Sequence, residues 1–395
     1  MTNIVRRINR SQMCTGCGVC ESLGKCRVCI NSKGKFFVRD QGMLATDNEK
    51  MRKLCPAFNT KTSDNFWGDY NSCGFSHSND PTIRFEASSG GTITQILIYL
   101  LEYDLVDAVL HVGENEKKPL YSCGRISRTV KDVLKNEGSR YAPAKLLSKI
   151  QTVLDKYKRI AIVGKPCDLR AVDSFVKCNE RYKGRTIYKL SVFCGGVPSQ
   201  QATRTLMNRL DINESDVTRI RYRGRGWPGR TTVYLKNGTK KSMDYNESWG
   251  EILGRDLHRM CKFCVDGIGE SADISCGDGW YSTQNGYPDF SEKDGRNIIL
   301  CRTRAGKEII ERMKQLSLLS IEPVECVDDY LNKIQVGQYF RKSSMWGKAI
   351  AAKICCLRIP LPRMKTLWKW RQGRTLYSDL RVAVGTIKRL LRNTL

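Results

Sequence analysis

The sequence predicts an α/β protein built on a mixed sheet, with a small cysteine-rich segment in front and a basic, partly helical tail behind. Three observations carry this expectation. RIAIVG (159–164), DLRAVDSFV (168–176) and TIYKLSVF (186–193) read as strand, helix and strand, a unit whose strands run parallel through a right-handed crossover. Before about residue 60, apolar periodicity is thin while Cys, Gly and Lys are frequent. From 341 to 395 the chain holds 14 Lys and Arg against one acid, Asp379, in a protein of 395 residues and net charge +27.

The cysteines sort into sets. Of the 18 present, Cys14, Cys17 and Cys20 follow the C-x2-C-x2-C spacing, and Cys55 directly precedes Pro56. This is the ferredoxin pattern, in which three closely spaced thiolates wrap a cuboid 4Fe-4S cluster and a remote Cys-Pro supplies the fourth ligand. Cys55 is the expected fourth ligand, with Cys26 or Cys29 as the alternative, and a zinc knuckle is the competing use of the close triplet. Cys167 in IVGKPC, Cys194 in SVFCGG and the pair Cys261 and Cys264 make a second set. The first two fall just past the C-terminal ends of the parallel strands, the edge where open α/β sheets bind ligands. In the competing reading they are small buried core residues. The start, MTNIVRRINRSQ, has charge but no apolar stretch after it, so no export signal is expected. No run approaches the ~18 apolar residues of a membrane span. The expected location is the reducing cytoplasm, where cysteines ligate metals rather than pair as disulfides.

Taken in order, residues 1–60 are expected to need a cluster to hold them together. NFWGDYNSCGFSHSNDP, within 65–85, reads as a linker. SSGGT (88–92) opens a helix in which Ile93, Ile96, Leu97, Leu100 and Leu101 share a face. Such an entrance suits a phosphate, and a plain N-cap is the simpler reading. DAVLHVG (107–113) reads as a buried strand, and GSRYAPAKLLSKIQTVLDKY as a helix with Leu146, Leu147, Ile150, Val153 and Leu154 inward. SQQATRTLMNRL reads as a helix, followed by strands near 217–223 and 231–236 around the basic loop RGRGWPGR. NIILCRT is a further strand and 306–316 a helix. The tail mixes basic residues with Trp346, Trp368 and Trp370. Membrane-surface attachment, nucleic-acid binding and a disordered end compete there; weak membrane or partner contact is preferred, and nucleic acid is disfavoured because no recognised module accompanies the charge. The histidines His77, His111 and His258 are scattered, and neither a P-loop nor GxGxxG occurs.

The ordered series CTGCGVC, SSGGTIT, GSRYAP, VGKPCDLRA, LSVFCGGVPS, RGRGWPG, CKFCVDGIGESADISCGDGW and GRNIILCRTRAG resembles the coenzyme F420 hydrogenase/dehydrogenase beta subunit family over roughly residues 13–335. The version with an N-terminal 4Fe-4S ferredoxin-type segment and this RGxGWPG loop is similar to members associated with surface-polysaccharide genes. The resemblance implies a ferredoxin-like segment over 1–60 and a flavin-binding part over 65–150. It further implies a part carrying the second cluster over 151–335, and leaves 336–395 as a basic tail. It implies FAD at Ser88, Ser89, Gly90, Gly91, Thr92, Ser139, Arg140, Tyr141 and Lys165, and a 4Fe-4S cluster on Cys167, Cys194, Cys261 and Cys264. With the first set that makes two clusters. Many relatives carry two N-terminal ferredoxin motifs; here Leu54-Cys55-Pro56 alone remains of the second, so one N-terminal cluster is expected. Cys276 stands where the family does not require cysteine.

The function so implied is an oxidoreductase moving electrons between a reduced carrier, coenzyme F420 or ferredoxin, and an unnamed acceptor, with coenzyme F420 as an exchangeable co-substrate. Acidic carriers suit a basic body. Arg221, Arg223, Arg225 and Arg230 are the expected contact, against a merely solvated basic hairpin. No residue is singled out as catalytic. The rivals are an electron-transfer subunit docked on a partner enzyme and a zinc-stabilised basic binding protein. The expected location is cytoplasmic, with a peripheral place at the inner face of the membrane.

Overall fold

Strands that bury both faces organise this chain. The computed structural model describes residues 3–60, 62–283 and 288–392. A short helix, Ile4–Ser11, packs Ile4, Val5 and Ile8 beside the hairpin β1 (Cys26–Ile30) and β2 (Phe36–Asp40). Then come β3 (Ser72–Ser78), β4 (Ala108–Glu114), β5 (Ser122–Ser127), β6 (Arg159–Gly164) and β7 (Thr186–Val192). An outer antiparallel sheet holds β8 (Val217–Arg221), β9 (Thr231–Leu235) and β10 (Lys240–Met243). After β11 (Ile274–Asp278) and the short pair β12 (Tyr281–Ser282) and β13 (Pro288–Asp289), the chain forms β14 (Asn297–Cys301) and β15 (Leu319–Pro323).

Among the described residues, eight strands make one mixed sheet in the order β15-β3-β14-β11-β7-β6-β4-β5. The predicted strand–helix–strand unit is its centre: β6 and β7 pair in parallel with Ile160 opposite Ile187, and the helix Pro166–Cys178 crosses between them. Strand alternation splits the core in two. Ala108, Leu110, Ile160 and Ile162 face the helices Ile150–Lys156 and Pro166–Cys178, with Leu169, Val172 and Phe175. Val109, Ala161 and Leu190 face the helices Thr92–Glu102 and Arg304–Gln315, with Ile96, Leu100 and Met313. Because β14 runs antiparallel to both β11 and β3, the strands β3, β11, β7, β6 and β4 all point their C-terminal ends to one edge.

Several expectations change. The stretch read as a linker contains β3, an interior strand between β15 and β14. SCGFSHS hides its role because small residues replace the usual branched ones. A Cβ on Gly74 would stand 2.8 Å from the Glu322 carbonyl oxygen, and buried Ser76 and Ser78 spend their hydroxyls on Thr92 and Gln95 at 2.8 and 2.7 Å. The helix expected from residue 138 starts only at Ile150. Leu146 and Leu147 are buried as predicted, but their backbone serves another contact: Leu147 N–H donates to the Cys17 carbonyl at 2.8 Å. Residues 1–60 have apolar packing of their own, Ile4, Ile8, Val28, Val38 and Met51, which the residue pattern does not reveal. Through residue 392 the tail folds into helices packed on the body. Leu367 and Trp370 are fully buried in one core with Trp67, Ile298 and Leu300, and Trp370 Nε1 donates to the Asp64 carbonyl at 3.1 Å.

His111, inside β4, is buried with Nε2 at 2.8 Å from Ser127 Oγ, and burial pushes its pKa down to about 4. A histidine held neutral in the fold binds its proton more readily once unfolded. Its contribution is therefore complete above pH ~6.5 and is lost as pH falls toward ~4, about 3 kcal/mol in all. Urea titrations between pH 7 and 4 should show this slope in the wild type and a shallower one in His111→Gln; equal slopes would contradict the assignment.

Candidate functional site

Of the first cysteine set, Cys14 and Cys17 lie in the loop after the helix Ile4–Ser11, Cys20 in the 3-10 turn Val19–Leu23, and Cys55 directly after the helix Ala45–Leu54. Gly16 and Gly18 turn that loop with φ of 73° and 85°. A Cβ on Gly16 would sit 2.1 Å from the Phe36 ring, and one on Gly18 2.9 Å from the Ser148 backbone nitrogen, so glycine is needed for both turn and approach. Cys14, Cys17, Cys20 and Cys55 are all buried, and Cys26 joins them: its thiol donates to the Cys20 carbonyl at 3.2 Å and hydrogen-bonds the Cys20 thiol. Cys29, the other alternative, is only partly buried on β1. Burial pushes Cys14 up to about 12 and raises Cys17 and Cys55; Cys20 is raised first by its bond to Cys26 and then by burial. Backbone N–H groups of Gly16, Val19 and Ala57 oppose this at Cys14, Cys17 and Cys55. Buried thiols met by N–H donors are what a cluster requires, since the iron supplies the positive charge that burial withholds.

The second set gathers at the shared C-terminal edge of the parallel strands. Cys167 is in the first turn of the helix after β6, Cys194 lies just past β7, and Cys261 and Cys264 flank the end of the short helix Arg259–Lys262. Burial is the main reason that Cys167, Cys194 and Cys261 are raised, Cys194 to about 12, and each of the three feels others of the set. Val197 N–H donates to Cys261 Sγ at 3.3 Å. Arg170 is buried with Nε and Nη1 unpartnered while its charge senses Cys264 and Cys167, so it has N–H groups to spare for a buried anionic cluster. Among the described residues, no three His, Cys, Asp or Glu side chains form a group that could hold a metal ion. A cuboid cluster asks for a wider cage than a single ion does, because each thiolate binds a different iron.

Between the sets stands an ion pair. Asp168, wholly buried, accepts from Lys165 Nζ at 2.6 Å and from Lys165 N–H at 3.1 Å. Burial opposes the Lys165 charge, but Asp168, Cys167 and Cys194 outweigh it and its pKa is raised. The same pair acts on Cys17 of the first set. One apolar cluster also spans both: Cys14, Cys20, Cys26 and Cys55 pack with Phe36, Val197, Met260 and Phe263, and Cys261 packs against it.

The tail clamps the second set. Gln338 Nε2 donates to the Cys194 carbonyl at 2.9 Å, and Arg341 donates to the same carbonyl at 3.1 Å and also to that of Gly195. Lys348 Nζ donates to the carbonyl of Lys262, between the two CxxC cysteines, at 3.2 Å, and burial pushes its pKa down to about 7. No motif or spacing in the tail signals these contacts.

The serine-glycine elements meet in part. Ser88 Oγ accepts from Ser139 N–H, which joins SSGGT to GSRY. Ser89 donates to the Arg296 carbonyl at 2.8 Å, Gly90 packs on the Ser76 carbonyl, Gly91 turns with φ of 74°, and Thr92 N–H is taken by Asn297 at 3.3 Å. These side chains thus tie the loop to β3 and β14. Arg140 donates to the Ile220 carbonyl at 2.6 Å and lies over Tyr222; Tyr141 packs on Trp249 at 4.7 Å. Arg140 Nη2 and Arg223 Nη2 are buried without partners, which fits a phosphate-bearing cofactor. Lys165 bonds instead to Asp168, beside the cysteines. Two of the four arginines expected to meet a partner are interior: Arg223 holds Asp278 at 2.9 Å and Arg221 holds Glu86 at 3.2 Å. Arg225 and Arg230 are exposed. The basic hairpin reads as surface because the sequence does not show that Glu86, Glu137 and Asp278 fold against it.

The family that matches is coenzyme F420 hydrogenase/dehydrogenase, beta subunit: its N-terminal part over residues 76–151 and its C-terminal part over residues 157–326. The coenzyme F420 hydrogenase subunit beta of Methanococcus voltae is 24% identical over 283 residues, 68% of this chain and 90% of that protein. The F420-dependent formate dehydrogenase subunit beta of Methanocaldococcus jannaschii is 24% identical over 275 residues, 67% of each chain. In solved structures, a chain of the xenon-derivatised F420-reducing NiFe hydrogenase complex from Methanosarcina barkeri superposes with TM-score 0.56 at 20% identity, over 76% of this chain and 99% of that one. The shared fold is the mixed α/β sheet.

Arg341→Ala should free the Gly195 carbonyl, leave the Cys194 carbonyl to Gln338 alone, and loosen the second set alone. In metal-free protein, mass-spectrometric thiol labelling should then be several-fold faster at Cys194 and Cys264 and unchanged at Cys14 and Cys55. Uniform labelling rates would show that the tail does not clamp this site.

Proposed function

Because the chain belongs to the coenzyme F420 hydrogenase/dehydrogenase beta subunit family, we propose that this oxidoreductase is an iron–sulfur flavoprotein passing electrons between a reduced carrier and an acceptor. The carrier is coenzyme F420 or ferredoxin. The observation that supports this best is the pair of four-cysteine sets, the first buried and the second half-buried, beside one ion pair, Lys165 with Asp168, and one apolar cluster. Cys14, Cys17, Cys20 and Cys55 would hold one 4Fe-4S cluster; Cys167, Cys194, Cys261 and Cys264 would hold the other. FAD would sit by Ser88–Thr92 and Ser139–Tyr141, where Arg140 and Arg223 have unpartnered nitrogens. Bound together, clusters and flavin supply one-electron and two-electron steps in one protein. The protein's own residues exclude water with Phe36, Val197, Met260 and Phe263, and orient the ligands through Gln338, Arg341 and Lys348. Exposed Arg230 offers charge to an acidic carrier, whereas Arg225 is paired with Glu86 at 3.1 Å.

A second reading, an electron-transfer subunit without its own substrate, draws on the fold likeness to one chain of a hydrogenase complex. The two differ in whether purified protein alone oxidises reduced F420 with an artificial acceptor.

Anaerobically purified protein should carry about eight iron and eight sulfide with one FAD per chain, and Cys55→Ala about half that iron. Cys26→Ala should keep the full iron content; a loss of half the iron there, and not in Cys55→Ala, would give the fourth position to Cys26. Zinc without flavin would end the redox reading. The surroundings also order the potentials. Lys165 and Asp168 act on both sets, but the second also faces Arg170 and Arg341, and the first Glu21. Cations stabilise the added electron, so in an EPR-monitored titration the cluster lost in Cys55→Ala should be the one of lower potential. The reverse order would refute this electrostatic account.

A further inference from the structure

The final helix, Leu376–Leu391, is packed on one side only. Asp379, Ala383 and Thr386 are buried, whereas Leu376, Tyr377, Leu380, Val384 and Leu391 are 50–78% exposed. At 3.6 residues per turn these five side chains form one outward stripe. Arg381, Lys388 and Arg392, also exposed, run along one border of it. Among the described residues no acid pairs with this charge: Asp379, the one acid of residues 341–395, is buried with Arg371 at 2.5 Å and Arg374 at 3.1 Å. Among the described residues no helix is long and apolar enough to cross a membrane.

We propose that this helix lies flat on an anionic bilayer surface, its apolar stripe in the acyl boundary and its basic row among the headgroups. An exposed stripe of Leu, Val and Tyr bordered by Arg and Lys is what such a surface binds: burial of the stripe gives affinity and the charges select anionic lipid. A nucleic acid would use the cations and leave the leucines in water. A second copy packed stripe to stripe would bring two basic rows together with no acid between them. The contact would hold the basic body, and the cysteine sets within it, at the membrane face.

The test is co-sedimentation of the full-length, anaerobically purified protein with phosphatidylcholine vesicles that contain or lack phosphatidylglycerol. Binding is expected to require phosphatidylglycerol and to weaken with salt. Arg381→Gln and Lys388→Gln should each weaken it about fivefold. Leu380→Glu combined with Val384→Glu should abolish it while leaving iron, flavin and thermal stability as in the wild type. The charge variants keep the test decisive if the double glutamate variant misfolds. Equal binding to both vesicle types, binding unaffected by these variants, or a soluble dimer that hides the stripe and ignores vesicles would each overturn the proposal.

Discussion

A carboxylate without solvent contact, Asp168 in the first turn of a helix, is the constraint around which this molecule is arranged. Wholly buried, it needs a cation at contact distance, and Lys165 supplies one from three residues earlier. Removing one member of such a pair typically costs about 3–5 kcal/mol, because the other is left buried and uncompensated. The pair therefore fixes the turn between β6 and the helix, and with it Cys167, which lies between the two residues in sequence. It also fixes what can approach from outside. The Cys17 loop docks here, its carbonyl taken by Leu147 and its thiol under the influence of both charges. One local electrostatic requirement thus sets the mutual placement of segments more than a hundred residues apart.

The two ends of the chain converge on the same ground. The N-terminal cysteine segment and the C-terminal helices lie outside the residues matched to the family, 76–151 and 157–326. Both nevertheless pack on the second cysteine set: the front through Phe36, near Met260 and Phe263, the tail through Gln338, Arg341 and Lys348. The family's sheet domain presents its ligand edge, and this chain's own extensions cover it. Such a cover does chemical work, since excluding water around sulfur strengthens every nearby charge and N–H dipole.

How much of this can be read from the residues depends on the kind of signal. Topology alone brings Cys167 and Cys194 together, because β6 and β7 are apolar runs flanking a helix pattern, and parallel pairing follows. β3 escapes notice because SCGFSHS carries neither branched residues nor clear alternation; its place in the sheet is decided by partners, Thr92, Gln95 and Glu322, that no local pattern reveals. The irregular stretch before Ile150 looks helical because its leucines are inward, yet they are inward to receive the Cys17 loop. The inward burial of Arg221 and Arg223 is equally hidden, since charge in a sequence says nothing about whether an acid lies opposite. Gln338 and Arg341 could be found only by knowing that a tail outside the family's pattern folds back over Cys194.

Buried ion pairs mark each junction of this architecture, and their placement explains how a strongly basic chain stays ordered inside. Lys165 with Asp168 joins the two cysteine sets, Arg223 with Asp278 joins the outer sheet to β11, Lys342 with Glu270 joins the tail to the body, and Arg371 with Asp379 closes the last helix. Apolar contacts are tolerant of small shifts, whereas a buried charge facing anything but its partner is heavily penalised. Glu270 shows the effect most fully: one carboxylate oxygen takes Lys342 at 3.0 Å from the tail and the other takes the N–H of Ser63 at 2.6 Å from the front. A slip of either segment would strand it. The acids of the site are thereby spent on registration in the interior, and the cations in excess of them are left to the surface, where an anionic carrier or lipid can meet them.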